Sequence, residues 1–479
     1  MKKTIYITKQ KLTMGRTKKF FKRFLFLFLF GALGLFLLAS YGYAFQVKRV
    51  IRGAANMAAN TEALPVDLTS FLGGEPLNTD RTLLIFSTSC PAQATNNEGL
   101  YRQYGDICGT VDDPQTLLFT RRTSTMAANI EYMVIEFASG ATVVSGMTTF
   151  PETTLAKTIT ISQVTYGKSI VFLSQRSWNS ELVRDEANIF AGHLLSATQL
   201  RLERSEQRNG YNVDLAYQIL SFDQTEGDVE VRYGEVNLNG TKEANESSDS
   251  GTAVVVPLNP SVSASKSLLM FTTLPNVNVN GVESQYAVDG IVSSDGSSIT
   301  FRRTSSTNSV IIRYYLAEFK NNVLTQTNRQ INITSDTSTT ISSGQGFSTP
   351  TYANRSIALF SVSVSSGTNT DNLDEIRFRG QLNASGSPPL SSTLTLTREV
   401  TDTGVSANIS WQVIEFPPLN LTSPNGGEIW KVGETRNITW EYAKELKDNS
   451  VTVKLLLSQN GGSSFPLLIT TNRPVQDGN

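Results

Sequence analysis

Apolar and polar positions alternate along this chain in short runs, and four of those runs are copies of one another. The clearest copy is Ile409-Ser410-Trp411-Gln412-Val413-Ile414-Glu415-Phe416; the others end at Phe137, Phe222 and Phe319. Each carries an aromatic residue five positions before its final Phe (Tyr132, Tyr217, Tyr314, Trp411) and an aliphatic one seven before it (Ile130, Leu215, Ile312, Ile409). A period of two is that of a strand. The parity then changes, because Ile135, Leu220, Ala317 and Ile414 stand two before the Phe. That change predicts a bulge or burial on both faces.

Three further landmarks keep step with this phrase. A basic residue and a Ser or Thr open an apolar run at Arg81-Thr82, Lys168-Ser169, Lys266-Ser267 and Arg355-Ser356. Each run closes on Phe or Leu followed by Ser or Thr: Phe86-Ser87, Leu173-Ser174, Phe271-Thr272 and Phe360-Ser361. Such runs read as buried strands. A Gly then precedes an aliphatic residue by two, at Gly105 and Ile107, Gly192 and Leu194, Gly290 and Val292, and Gly380 and Leu382. Gly within a strand marks a bulge or a close backbone approach. Last, an alternating strand ends in Arg121, Arg204, Arg303 or Arg398.

The final Phe residues lie 85, 97 and 97 positions apart. About seven short strands fit each interval, and no amphipathic helix is legible. The expected fold is therefore all-β: a tandem array of four antiparallel β-sandwich repeats, over 45–140, 141–226, 227–321 and 322–418. The fourth repeat departs at its start, where Gly53, Gly146 and Gly234 of the others have no counterpart.

Both ends differ from the array. Residues 1–44 hold nine basic residues and no acid, then an apolar run from Phe24 to Ala39, then Gly42-Tyr43-Ala44. This order is that of a signal peptide, with an uncleaved anchor as the rival because the run is close to spanning length. Without those nine, 32 basic residues face 42 acidic ones. An acidic chain of this kind is not built for nucleic acid, which needs clustered Lys and Arg. At the other end, Ser423-Pro424-Asn425-Gly426-Gly427-Glu428-Ile429-Trp430 is followed by Gly433-Glu434-Thr435 and Asn437-Ile438-Thr439-Trp440. Residues 419–479 thereby resemble the Ig-like domain of the Ser/Thr-rich, lipid-anchored membrane protein family, also found in yeast cell-wall β-glucan assembly proteins. The resemblance implies a partial Ig-like β-sandwich, cut short at Asn479, and an extracellular module rather than an activity. Repeats 1–4 show a fainter similarity to H-type lectin units.

Candidate chemistry is sparse. The two cysteines, Cys90 and Cys108, form a disulfide in an oxidising compartment or stand as two free thiols. The single histidine, His193, aligns with Asp106, Ile291 and Gln381 and reads as an ordinary strand position. No catalytic, metal-binding or cofactor-binding set is expected. Arg121, Arg204, Arg303 and Arg398 admit two roles. Either they contact sugars or acidic glycans, or each caps its repeat's core, stacked on the Tyr or Trp or paired with a carboxylate. The leading expectation is a secreted or cell-surface structural or adhesion protein without catalysis of its own. It would meet cell-surface or matrix glycans or proteins, and a membrane only through an uncleaved N-terminal segment. The alternatives are a carbohydrate-binding array and accessory modules of a larger secreted enzyme.

Overall fold

A computed structural model describes residues 3–8, 46–89, 106–122, 127–177, 189–205, 212–222, 229–275, 287–319 without 305 and 307, 323–366 without 334–337, 377–398 without 386–389, 406–416, 419–423, 434–442, 452–458 and 467–474. Strands dominate; the one α-helix among the described residues is the single turn Thr69–Leu72. The chain divides into two units, 45–417 and the two ends together.

In the larger unit the four phrases become the central strands of four small sheets: β7 (Ala128–Ser139), β13 (Val213–Phe222), β20 (Val310–Phe319) and β27 (Ser406–Glu415). One edge of each sheet is an opening strand: β2 (Gln46–Met57), β8 (Ala141–Phe150), β14 (Val229–Leu238) or β21 (Leu324–Ile333). The other edge is the run that ends in Ser or Thr: β4 (Thr82–Ser89), β10 (Ser169–Ser177), β17 (Ser267–Pro275) or β24 (Ser356–Ser366).

A second sheet faces each of these. Its centre is the strand leading to the recurring Arg: β6 (Thr116–Thr120), β12 (Gln199–Arg204), β19 (Ser298–Arg302) or β26 (Leu390–Thr397). Its flanks are β3 (Ala63–Asp67), β9 (Ala156–Thr160), β16 (Ala253–Pro257) and β22 (Ser338–Ile341) on one side. On the other lie the glycine strands β5 (Cys108–Asp113), β11 (Phe190–Ser196), β18 (Asp289–Val292) and β25 (Arg379–Ser385). Short strands β15 (Ser248–Asp249) and β23 (Thr351–Tyr352) are added in the third and fourth repeats. All pairings within this unit are antiparallel, as expected of sandwiches.

The parity change brings burial on both faces, and in the first repeat also a bulge, where the register of β2 shifts between Val47 and Arg49 opposite Phe137 and Glu136. β13 and β20 pair without a register shift over their 10 residues, so no bulge is present there. One face of each terminal strand fills its own sandwich: Ile130, Tyr132 and Val134 in the first repeat, Ile312, Tyr314 and Leu316 in the third. The opposite face, with Ile135 and Phe137, Ala317 and Phe319, or Ile414 and Phe416, enters one core shared by all four repeats.

The opening glycines make room for the phrase's aromatic residue. Gly53, Gly146 and Gly234 stand opposite Tyr132, Tyr217 and Tyr314, and a Cβ on any of them would lie 2.2–2.4 Å from the Tyr hydroxyl. In the fourth repeat Asn328 takes that place opposite Trp411. Trp411 instead stacks on Phe347, with ring centres 5.9 Å apart, and is fully buried.

In the smaller unit, β28 (Leu419–Ser423) pairs with β29 (Thr439–Tyr442), and β30 (Thr452–Ser458) with β31 (Leu467–Pro474). Strand β1 (Lys3–Thr8), within the segment read as a leader, runs parallel to β30. The Pro-Asn-Gly-Gly-Glu stretch, Trp430 and the apolar run 24–39 lie outside the described residues. No helix among the described residues is long and apolar enough to cross a membrane.

Candidate functional site

The four repeats do not follow one another like beads; they close into a ring. Phe222 and Phe319 meet edge-on with centroids 6.2 Å apart, and Phe319 and Phe416 likewise at 6.3 Å. Leu83, Ile170, Leu268 and Ile357 join Phe137 and these three rings in the shared core. Burying a Phe or Leu side chain contributes about 1.5–3 kcal/mol, so this axis holds a substantial part of the ring's cohesion.

The recurring Ser or Thr at the head of each inner strand fixes how that strand enters. Thr82, Ser169, Ser267 and Ser356 donate their hydroxyls to the carbonyls of Asn78, Thr165, Ser263 and Tyr352, four residues earlier. The same turn is held from the phrase strand. Glu136, Ser221, Glu318 and Glu415, each one residue before a terminal Phe, accept from the backbone N–H groups of those same four residues. Residues this polar are tolerated beside a core because each is hydrogen-bonded.

From these turns the inner strands β4, β10, β17 and β24 run away from the four Phe rings and line a central cavity of about 670 Å³. Period-two spacing sorts the lining into layers. Next above the core come Ile85, Phe172, Met270 and Leu359; two residues further on come Ser87, Ser174, Thr272 and Ser361. Asp106 and Arg377 also line the cavity and form an ion pair at 3.4 Å.

The hydroxyl layer also ties the ring together. Gly109 N–H donates to Ser174 Oγ (3.3 Å), Gly290 N–H to Ser361 Oγ (3.1 Å) and Gly380 N–H to Ser87 Oγ (3.3 Å). Each bond runs from one repeat's glycine strand to the next repeat's inner strand, and the last returns from the fourth repeat to the first. At the remaining seam Tyr315 Oη donates to the Gly192 carbonyl at 3.4 Å.

The register corrects one sequence alignment. Gly109, not Gly105, is the counterpart of Gly192, Gly290 and Gly380, because it stands opposite Phe119 as they stand opposite Leu202, Phe301 and Leu396. Its missing Cβ makes way for Phe86, as those of Gly290 and Gly380 do for Phe271 and Phe360. The counterpart of His193 in the first repeat is therefore Thr110 rather than Asp106.

Around the axis, each seam has its own polar contacts. Between repeats 3 and 4, Asp289 is fully buried and accepts from Arg329 (2.7 and 3.0 Å), Ser363 (2.6 Å) and Ser410 (2.8 Å). Between 4 and 1, Arg379 meets Glu131 at 3.1 Å. Between 2 and 3, Arg313 pairs with Glu203, while His193 stacks on Tyr233. Burial, then the charge of Arg313, holds the His193 imidazole below its usual range. Between 1 and 2, the Cys108 thiol sits against the carbonyls of Ser174 and Asp214, and burial pushes it up to about 12. Its proposed partner Cys90 lies outside the described residues.

The recurring arginines are not gathered into one site. Each is buried in its own repeat, with 1, 2, 4 and 1 % exposure for Arg121, Arg204, Arg303 and Arg398. Arg121 donates to the carbonyls of Met57, Ala58 and Thr61, Arg204 to those of Pro151 and Glu152, and Arg303 to those of Leu238 and Gly251. Apart from that of Gly251, which lies just before β16, these carbonyls lie where the opening strand leaves the first sheet, so the guanidinium clamps that crossing. The aromatic neighbours are Phe150 for Arg204 and Phe378 for Arg398, rather than the phrase's Tyr or Trp.

A scan against family models, a search of curated proteins and a search of solved structures each returned no match to this chain. Among the described residues, no group of three or more His, Cys, Asp or Glu side chains is placed to hold a metal ion.

Proposed function

We propose that the chain is a secreted or cell-surface protein without catalytic activity of its own, in which four β-sandwich repeats serve as one closed structural or adhesive head. The observation that carries this reading is the shared core of Phe137, Phe222, Phe319 and Phe416, which makes the repeats one body rather than four separable beads. A basic, then apolar N-terminus of signal type supports export. The acid excess of the remainder supports partners among surface or matrix proteins and glycans over nucleic acid. The Ig-like resemblance of residues 419–479 fits an extracellular setting as well.

The carbohydrate-array alternative draws less support. Arg121, Arg204 and Arg303 are engaged by backbone carbonyls of their own repeats, and Arg398 is buried beside Phe378, which leaves them poorly placed for a sugar. Service as accessory modules of a larger secreted enzyme is compatible with the same closed head.

The test is direct. The full chain, expressed in a host with a general export pathway, should be found outside the cytoplasmic membrane, accessible to antibody on intact cells. N-terminal sequencing should find a start after Ala44; retention of Met1 on exported protein would favour the anchor. Recovery in the cytoplasm alone would sink the proposal, and glycan-array binding lost on substituting the four arginines would favour the lectin alternative.

A further inference from the structure

The sequence landmark that closes each inner strand, a Ser or Thr after Phe or Leu, is explained by ring closure only in part. Ser87, Ser174 and Ser361 each accept a glycine N–H, which uses an oxygen lone pair and leaves the hydroxyl proton available. Thr272, at the matching place in the third repeat, differs, because its Oγ1 is buried out of reach of the cavity. Three equivalent serine hydroxyls therefore border one cavity with donors unspent, directly above an apolar layer of Ile85, Phe172, Met270 and Leu359. Three such donors around one space favour a guest that brings an acceptor. The cavity's volume, about 670 Å³, falls within the range of small-molecule sites. The charged groups lining it, Asp106 and Arg377, offset each other as an ion pair.

We propose that the central cavity binds one aliphatic molecule ending in an uncharged oxygen function. Its hydrocarbon part lies against Ile85, Phe172, Met270 and Leu359, and its oxygen accepts from the layer of Ser87, Ser174 and Ser361. A free long-chain alcohol and the acyl end of a lipid share this chemistry. The site sits on the axis, so its wall exists only when all four repeats are joined.

The experiment is calorimetric titration of the full chain with decan-1-ol, a decanoyl ester and decanoate. Both uncharged probes should bind at one molecule per chain, with the tighter of the two naming the source; decanoate should bind more weakly. Met270→Trp, which fills the apolar layer, should abolish binding; if it does not fold, Ile85→Phe serves the same purpose with a smaller side chain. Ser361→Ala removes one donor to the guest and should lower decan-1-ol affinity about fivefold, with the melting temperature reading the lost Gly290 bond separately. No binding by either uncharged probe would overturn the proposal. So would binding that both filling variants leave intact, equal or tighter binding of decanoate, or unchanged affinity in Ser361→Ala. Location outside the membrane is measured separately, so a failure here leaves the closed-head reading standing.

Discussion

The axis of the ring and its four seams are made from the same strands, yet they differ in how far they repeat. On the axis every repeat supplies the same kinds of residue: a terminal Phe, an aliphatic two places before it or its small stand-in Ala317, and a Leu or Ile at the head of the inner strand. At the seams the chemistry changes at each step. A thiol meets carbonyls, an Arg–Glu pair lies beside a stacked His and Tyr, a buried Asp takes four donors, and an Arg meets a Glu. Non-directional apolar contact joins any repeat to any other, whereas charges and buried donors discriminate between partners. The axis thus supplies cohesion and the seams supply order.

A lesser alternation runs through the seams as well. The Gln218 side chain makes two hydrogen bonds to the backbone of Leu84, and Gln412 two to that of Leu269, so seams 1–2 and 3–4 share one device. Seams 2–3 and 4–1 use Tyr315 and Met133 at the matching position. The ring therefore has the internal likeness of two paired halves.

The largest effect is expected on the axis. Phe319→Ala touches the rings of both Phe222 and Phe416 and should cost about 3–5 kcal/mol in chemical denaturation; a loss below that of any seam variant would invert the comparison. Next comes Asp289→Ala, which leaves Arg329, Ser363 and Ser410 without their acceptor and should cost about 3 kcal/mol, with Asp289→Asn recovering part. Smaller still is the exchange of Arg379 and Glu131. Either single reversal should destabilise and the double should regain about 1 kcal/mol by a double-mutant cycle, whereas simple additivity would deny the seam a selective role.

The least effect concerns pH. His193 is held below its unfolded value of about 6.5, so the unfolded chain binds its proton first as pH falls. Stability attached to this residue is intact above that value and declines as pH drops through it towards the lower folded value. His193→Gln should flatten the stability profile there; an unchanged slope would remove His193 from the 2–3 seam's electrostatics.

Much of the fold was legible because strand periodicity is a local property. The phrases, inner runs and Arg strands all became strands near their expected places. Closure was less legible, although its trace was present: Ile135 and Phe137, out of phase with Ile130 and Tyr132, needed a second apolar environment. A single chain reading names that environment only as a bulge or a second buried face. Aligning Gly105 with Gly192 failed because spacing from an aliphatic residue cannot see which cross-strand neighbour a glycine accommodates. The partners of Arg121 and Arg303 were hidden for a related reason, since backbone carbonyls leave no mark in composition. The cavity itself is a property of four strands together, and its only local trace was the repeated hydroxyl after Phe or Leu.

The bond from Gly380 to Ser87 spans 293 residues of chain. Contacts between distant residues form slowly, because the intervening chain must first surrender its freedom. The first repeat therefore waits, its inner strand without a neighbour on one flank, until the fourth has been made. A ribosome adding about 5–20 residues per second needs some fifteen seconds or more to deliver that partner. During synthesis the earliest quarter of this head is consequently its most vulnerable, and the last quarter decides whether the whole is finished.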